Sequence, residues 1–312
     1  MGAIDNARLR CSACTSVGRV RENNEDNIQL WQQEHYVIAV VADGMGGAAA
    51  GEQASQIAVD AIEAMLAAQK AGGQPFEQRP DEQVISILLE AIRTANSNII
   101  RRATDEPELR GMGTTMTVAY VRPNRALIAH VGDSRAYLVD SRGLKIQQVT
   151  ADHSFVEALV AAGHLTHEQA EEHPMRNVLY RALGQNEDVD IDLYEIRLRS
   201  GDRLVMCSDG LTHHVKAGEI ATISSEAKTP DDTCQRLIDL ANARGGEDNI
   251  SVIVIQTELD LTAQATLEIG SLNLVELDVE DTIILRGKLE RIDPLHDGDE
   301  TLRAGLLPDV RD

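Results

Sequence analysis

Two apolar runs that end in Asp-Gly constrain the possible fold most strongly. The stretch VIAVVADGMGGAAAGEQAS (37–55) passes from an unbroken apolar segment into Asp43-Gly44 and then into small residues typical of a helix. RLVMCSDG (203–210) repeats the arrangement at Asp209-Gly210. Each run is too apolar for a surface strand, so each predicts a buried strand with a carboxylate at its end. A lone Asp-Gly is usually a turn, and that interpretation stays open for either one.

The remaining pattern predicts an α+β fold. Pairs of helices stand between runs of meandering strands, without a regular β-α-β alternation. This arrangement favours antiparallel sheets covered by helices over a doubly wound sheet. Helices are predicted over 51–71, 83–104, 153–173 with a break at Gly163, and 229–246. Extended segments are predicted over 16–30, 36–42, 114–150 as four strands, 191–207 as two strands, and 249–259.

The charge balance excludes some classes of partner. The 312-residue chain carries a formal net charge of −22, and Arg101-Arg102 is the nearest approach to a basic cluster. Binding to nucleic acid or to an anionic membrane needs clustered Lys and Arg, so neither partner is expected. No segment reaches the ~18 uninterrupted apolar residues of a membrane span. The start, MGAIDNARLR, lacks the apolar core of a secretory signal, so a cytoplasmic protein is expected.

The chain divides by composition into a main domain, 1–257, and an acidic C-terminal appendage, 258–312. The second segment holds 14 Asp or Glu against 5 Lys or Arg. Near the other end, Cys11 and Cys14 form a Cys-x-x-Cys, a spacing found in zinc and redox sites. No second pair lies nearby to complete a zinc site, so ordinary packing is expected for both.

Acidic residues recur beside glycines or at predicted strand ends. Several carboxylates at one edge of a fold repel one another unless a cation neutralises them. Hard divalent cations prefer oxygen ligands, and a neighbouring glycine lets a backbone carbonyl approach as one more. The pattern therefore predicts a site for Mn²⁺ or Mg²⁺, although each acid alone is equally explained as a turn or a solvated residue. The acids are Glu25, Asp26, Asp43, Asp133, Asp209 and Asp248.

Taken together, eight short motifs resemble the protein phosphatase 2C family in its bacterial form. They cover roughly residues 12–257 and occur in family order. The resemblance implies a four-layer α-β-β-α sandwich, two antiparallel sheets flanked by helix pairs, with metals between the sheets. It also implies metal-dependent hydrolysis of phosphoserine and phosphothreonine in proteins. The motifs are RENNEDN (21–27), ADGMGG (42–47), GMGTT (111–115), AHVGDSRAYL (129–138), TADHS (150–154), RALG (181–184), CSDGL (207–211) and GGEDNISV (245–252).

The resemblance also implies roles for single residues. Asp43 would bridge two tightly bound metals and the Gly44 carbonyl would ligate one of them. Asp209 and Asp248 would complete the second, with Glu25 and Asp26 acting through water. Asp133 and Asp209 would hold a weaker third metal, Arg21 would bind the substrate phosphate, and residues 153–180 would form a flap beside the site.

One position departs from the family pattern. Many relatives carry a histidine that protonates the leaving group, at positions where this chain has Met45 or Ala48. The general acid is therefore unassigned, and His130 and His153 are expected to be buried, hydrogen-bonded histidines.

The expected function is dephosphorylation of phosphorylated proteins by a monomer, opposing a eukaryotic-like Ser/Thr kinase. The alternatives are a catalytically silent relative that acts as a signalling or scaffold module, and a sporulation-type phosphatase with a single substrate.

Overall fold

The computed structural model describes residues 7–71, 76–142, 145–259 and 285–287. Its strands are β1 (Ala7–Ser16), β2 (Asp26–Gln32), β3 (Val37–Met45), β4 (Gly113–Thr114), β5 (Met116–Arg122), β6 (Arg125–Val131), β7 (Arg135–Val139), β8 (Ile146–Gln148), β9 (Asp192–Arg197), β10 (Arg203–Cys207), β11 (Ile250–Leu259) and β12 (Leu285–Gly287). Its α-helices are α1 (Ala48–Ala71), α2 (Asp81–Asp105), α3 (Phe155–Ala161), α4 (His167–Glu171), α5 (Asp209–Thr212), α6 (Ala217–Glu226) and α7 (Pro230–Ala243).

In the described residues, the strands form two antiparallel sheets. The first has the order β1-β11-β10-β7-β8, and the second has the order β12-β9-β6-β5-β3-β2, with β4 paired to the end of β3. The two Asp-Gly runs lie in different sheets, because β3 belongs to the second sheet and β10 to the first.

Three apolar layers hold the sheets and helices together. Alternate residues of β3 explain how one strand serves two layers, since successive side chains point to opposite faces. Val37, Ala39 and Val41 pack between the sheets, against residues such as Ile253 of β11. Ile38 and Val40 pack outward against α1 and α2. A third layer joins the outer face of the first sheet to α5, α6 and α7. The predicted four-layer α-β-β-α sandwich is confirmed.

Several predicted elements need correction. The prediction of extended chain over 16–30, interrupted by the polar stretch RENNEDN (21–27), needs correction because the loop between β1 and β2 is longer and covers 17–25. Helix α6 was not predicted, since its apolar positions Ile220 and Ile223 are too few to give a helical period. The flap region contains the two short helices α3 and α4, as the break at Gly163 predicts. Gly72 and Gly73, which follow the first predicted helix and are expected to end it, lie outside the described residues.

Part of the C-terminal segment contacts the sandwich. Residues 285–287 pair antiparallel with β9 and so form the edge of the second sheet. The rest of 260–312 lies outside the described residues. Among the helices described, none combines the length and apolar character needed to cross a membrane.

Candidate metal centre and active site

Asp43 and Asp26 form the part of the site that belongs to the second sheet. They are direct cross-strand neighbours in the β2–β3 register, an arrangement in which like charges are destabilising. The backbone fixes Asp43: its N–H donates to Thr115 Oγ1 at 2.9 Å, and its carbonyl accepts from Thr114 Oγ1 at 2.8 Å. The unfavourable pair is thus imposed by the sheet.

Asp209 and Asp248 come from the first sheet. Asp209 is the first residue of α5, one residue after the end of β10, and Asp248 lies in the loop that leads into β11. A Cβ on Gly210 would stand 2.0 Å from the carbonyl oxygen of Asn249. Only glycine therefore lets the two segments approach this closely. Ser208 links the sheets, because its Oγ donates to Asp26 Oδ2 at 2.7 Å.

Gly44 is required for the same reason in the second sheet. A Cβ there would stand 2.1 Å from the carbonyl oxygen of Gly51 and 2.7 Å from that of Glu25. Glu25 is also held through its main chain, since its carbonyl accepts from Ser55 Oγ at 2.6 Å. The two Asp-Gly glycines allow close backbone packing around the carboxylates.

The carboxylates perturb one another. Burial, together with the negative charges of Asp26, Asp209 and Asp133, raises the pKa of Asp43 well above its usual range. Burial also raises the pKa of Asp26 to about 7, against hydrogen bonds from Ser208 and Ser251 that lower it.

The same cause acts on two further acids. The pKa of Asp133 is well above its usual value, through burial and then through the charge of Asp209. Burial raises the pKa of Glu25 as well. The sheets bring together acids that resist ionising side by side.

This donor set fits a hard divalent cation by its charge and by its oxygen chemistry. The ion would offset the repulsion that raises the pKa values of Asp26, Asp43 and Asp133. As the side chains stand, no three His, Cys, Asp or Glu residues of the described chain surround one point in a geometry that could hold a metal ion. The carboxylates thus repel one another, but in the described residues their side chains are not arranged as a complete set of metal ligands.

One flank of the site, here called the arginine side, consists of Arg21, Asp248 and Asn249. Arg21 Nη2 donates to Asp248 Oδ2 at 2.9 Å, and the Arg21 side chain is 48% exposed. Asn249 holds the 17–25 loop with both ends of its amide: Oδ1 accepts from the Glu25 N–H at 2.8 Å, while Nδ2 donates to the carbonyls of Val17 and Asn23. The loop is fixed and the guanidinium remains accessible to solvent.

The opposite flank, here called the flap side, consists of Asp133, His153, Arg181 and Asp192. His153 clamps Gly132, the neighbour of Asp133: its N–H donates to the Gly132 carbonyl at 2.8 Å, and its Nδ1 accepts from the Gly132 N–H at 3.0 Å. Arg181 Nη1 donates to Asp192 Oδ1 at 2.8 Å, and His153 Nε2 lies 3.4 Å from Asp192 Oδ2. Burial opposes ionisation of Asp192, but these hydrogen bonds hold its pKa well below the usual range.

His130 and His153 are both buried and hydrogen-bonded, as expected from the sequence. His130 Nδ1 lies 2.9 Å from Thr117 Oγ1, and its Nε2 lies 3.2 Å from the Ala151 carbonyl. Burial, together with the charge of His153, lowers the pKa of His130 to about 3, so the ring is neutral at physiological pH. A ring of this kind is a poor proton donor.

The two cysteines of the Cys-x-x-Cys lie on β1. Cys11 Sγ donates to Gln32 Oε1 at 3.2 Å, and Cys14 packs with the helices on the outer face of the first sheet. All four cysteines, Cys11, Cys14, Cys207 and Cys234, are free thiols. These contacts are consistent with the ordinary packing expected for Cys11 and Cys14, which stays a prediction.

Sequence reasoning found the acids but missed the residues that hold them. Asn249, Thr115 and Ser208 each lie inside a recognised motif, yet none carries a charge that would single it out. Ser134 was missed as well; its Oγ lies 2.7 Å from Thr115 Oγ1, which also accepts from the Asp43 N–H, so Thr115 connects the Asp133 loop to β3. The available signal was position: each is within one residue of a predicted acid or of a threonine pair that follows glycine.

Comparison with known proteins gives a consistent result. Residues 15–247 match the family model for protein phosphatase 2C. The chain is 37% identical over 246 residues to the serine/threonine phosphatase stp of Listeria monocytogenes, covering 78% of this chain and 94% of the relative. It is also similar to the crystal structure of the serine/threonine phosphatase Stp1 from Staphylococcus aureus, with a TM-score of 0.72 and 35% identity over 80% of this chain and 94% of that one.

A third similar structure contains metal. It is the catalytic domain of the serine threonine protein phosphatase PstP in complex with two manganese ions, with a TM-score of 0.68 and 34% identity over 81% of this chain and 99% of that one. The sandwich, the converging carboxylates and these similarities lead to one conclusion: the chain belongs to the protein phosphatase 2C family of metal-dependent enzymes and is a protein-serine/threonine phosphatase.

Proposed function

We propose that the carboxylate cluster holds two tightly bound divalent cations, Mn²⁺ or Mg²⁺, and that a third binds more weakly. Asp43 would contribute to both tight sites and the Gly44 carbonyl to one of them, with Asp209 and Asp248 completing the second. Asp133 and Asp209 would form the weaker site, and Glu25 and Asp26 would act through water. The observation that carries the proposal is that Asp26, Asp43 and Asp133 converge from both sheets and that their pKa values are raised by burial and mutual repulsion.

When bound, divalent ions would polarise phosphoryl oxygens and lower the pKa of a water from ~15.7 towards ~7. Arg21 is suited to bind the phosphoryl group, because a planar guanidinium can donate two parallel hydrogen bonds to it. Its exposed side chain makes an ion pair with Asp248, which a substrate phosphate could replace. The cysteines are not required as nucleophiles, since hydrolysis by water forms no phosphoenzyme.

The source of the leaving-group proton is a separate question. Met45 has no proton to donate, and alanine at 48 has none either. The neutral, buried ring of His130 is unsuited to the task. We therefore assign the proton to a water molecule on the flap side of the site, beside Asp133.

The proposal extends to the cellular role. The substrates are phosphorylated proteins, including a eukaryotic-like Ser/Thr kinase and its targets, and the enzyme acts as a monomer in the cytoplasm. The catalytic domain extends to about residue 257, and 258–312 is an acidic appendage, of which residues 285–287 pair with the edge strand β9 of the second sheet.

The experiment measures phosphate release from a phosphothreonine peptide and, separately, metal binding by calorimetry. Mn²⁺ should activate the protein, and a chelator should abolish turnover. Calorimetry of the metal-free protein should detect two tight sites. Asp248→Asn should remove one tight site, whereas Asp231→Asn, a carboxylate of α7 outside the cluster, should leave both intact. Metal-independent turnover, or equal metal binding by the two variants, would contradict the proposed site.

A further inference from the structure

Within the residues that the structure describes, the large apolar side chains that remain exposed lie in two places. In the described part of the chain, six of them are exposed over more than a third of their surface. Two are on the arginine side of the site and four are in the flap. Elsewhere the described surface has none of this kind. They are Val17 (37%), Val20 (66%), Phe155 (36%), Met175 (41%), Val178 (43%) and Tyr180 (50%).

The flap residues form one patch. Ser154 and Leu179 form an antiparallel bridge, and the Phe155 N–H donates to the Val178 carbonyl at 2.7 Å. Phe155 and Val178 are therefore cross-strand neighbours on one face. Val178 also closes a turn on Met175, since its N–H donates to the Met175 carbonyl at 3.1 Å.

This flap patch is attached to the Asp133 loop. The Tyr180 N–H donates to the carbonyl of His153, and the Tyr180 and His153 rings lie 5.7 Å apart. His153 in turn clamps Gly132, the residue before Asp133. The patch is thus built onto the same short segment that positions one acid of the site.

The second patch adjoins the phosphate-binding arginine. Val20 directly precedes Arg21, and the Val17 carbonyl is held by Asn249. The Arg19 N–H donates to the Gly246 carbonyl at 2.7 Å, which fixes the loop beside Asp248. Solvent exposure of Val20 is therefore a property of a fixed loop.

The established activity determines what these patches can contact. A phosphorylated residue that reaches the carboxylate cluster belongs to a polypeptide, and its neighbours in sequence must run over the flanks of the site. Exposed apolar surface rimmed by polar residues marks interaction sites. The flap is otherwise acidic, with four glutamates against one arginine between residues 153 and 180. An acidic rim favours a partner with basic residues farther from the contact.

We propose that the two patches bind apolar residues on either side of the phosphorylated residue of a protein substrate. The inference rests on the proposed function, since it needs the phosphate to be bound by Arg21 and the carboxylate cluster. It selects an extended phosphopeptide with aliphatic or aromatic residues next to the phosphorylation site and basic residues beyond them.

The first test needs no variant. Two phosphothreonine peptides of equal length and charge are compared, one with Leu and Val beside the phosphothreonine and one with Ser and Gln there. The wild-type enzyme should have a kcat/KM at least about tenfold higher for the apolar peptide. Equal values would overturn the inference. Failure to hydrolyse either peptide or p-nitrophenyl phosphate with Mn²⁺ would instead refute the proposed function.

The second test assigns the preference to the patches. Val20→Ser and Val178→Ser should each reduce the preference to about threefold or less. The control is Met65→Gln, which removes an apolar side chain 17 residues along α1 from its start, about 26 Å along the axis. The control should keep the full preference. Unchanged preference in both serine variants would overturn the inference.

Analytical sedimentation tests the alternative that the two patches bind a second copy of this chain and not a substrate. If the wild type is a dimer that both serine variants dissociate, while peptide preference is unchanged, the patches are an interface between two copies and the inference is wrong. A monomer in all variants, with reduced preference, supports it.

Discussion

Arg21 and Asp133 flank the same carboxylate cluster, but the chain holds them in place by different chemistry. On the arginine side, one neutral amide, Asn249, makes three hydrogen bonds to the backbone of the 17–25 loop. On the flap side, ionised and aromatic groups make a buried network, in which Arg181 and His153 contact Asp192 and His153 clamps Gly132. Arg21 is left exposed, whereas the groups that hold the Asp133 loop are removed from solvent.

The difference fits the tasks of the two sides. An arginine that binds a substrate phosphate must exchange its partner, and an exposed ion pair costs little to break. A buried charge network is costly to disturb, because removing one member leaves another unpaired in a low-dielectric interior. The arginine side should therefore tolerate substitution without unfolding. The flap side should lose stability and activity together.

The largest effect is expected where the two sides meet, at Asp209. Its charge acts on Asp26, on Asp43 and on Asp133. Asp209→Asn should lower kcat for a phosphothreonine peptide by about 10³-fold or more, because it removes a ligand shared by the proposed metal sites. The melting temperature in chelator should not fall, since a repulsive charge is lost. Near-normal activity with Mn²⁺ would contradict the metal assignment.

A smaller loss is expected on the arginine side. Arg21→Ala should lower kcat/KM by about 10²-fold, the value of a lost charge-assisted hydrogen-bond pair. Arg21→Lys should recover only part of it, since an ammonium lacks the planar fork. The melting temperature should be unchanged in both. Arg19→Ala, two residues away, is the control; a loss equal to that of Arg21→Ala would remove the specific role of Arg21.

On the flap side, Asp133→Ala should slow turnover by about 10-fold and leave both tight metal sites filled in calorimetry. The loss should be larger for a phosphoserine peptide than for p-nitrophenyl phosphate, because a serine alkoxide is the more basic leaving group and needs a proton. His153→Ala should lower both rates in the same proportion, since it acts through the position of the loop. A selective loss for the peptide in His153→Ala, with none in Asp133→Ala, would make the histidine the acid.

The smallest expected effect is a dependence of stability on pH, which should be found on the flap side and not on the arginine side. His130 contacts the His153 ring and feels the charge of Asp192, and its pKa is lowered to about 3 by burial and by His153. Between the two pKa values, the histidine is protonated in the unfolded chain, where its pKa is ~6.5, but stays neutral in the folded protein. Stability is therefore present above pH ~6.5 and falls by up to about 1.4 kcal/mol per pH unit below it.

The measurement is urea unfolding of the wild type and of His130→Gln between pH 7.5 and 5, without metal. The variant should have a lower free energy of unfolding than the wild type at pH 7.5, and this difference should narrow as the pH falls, because only the wild type loses stability by protonation of His130. Asn249→Ala, the corresponding change on the arginine side, should keep a constant gap. A constant gap for His130→Gln would mean that the histidine is not buried in its neutral form.

The acids of the site could be predicted because their signal is local. Asp43, Asp209 and Asp248 stand next to glycines or at the ends of apolar strands, and such positions are visible in one sequence. Asn249 and His153 could not be assigned in this way. Their roles depend on contacts with residues more than 20 positions away in the chain, such as Asn23 and Gly132.

The sequence by itself determined the α+β class, the two Asp-Gly strand ends and the set of acids, since hydrophobic period and turn chemistry act over short distances. Only the tertiary structure decided that Asp26 and Asp43 face each other across β2 and β3. It also decided that Gly44 and Gly210 each pack closely against the backbone carbonyl of another segment. The tertiary structure further decided that, in the described residues, the large exposed apolar side chains lie in the flap and in the loop that carries Arg21. Register and sheet packing set these distances, because they depend on how strands far apart in the chain pair and stack.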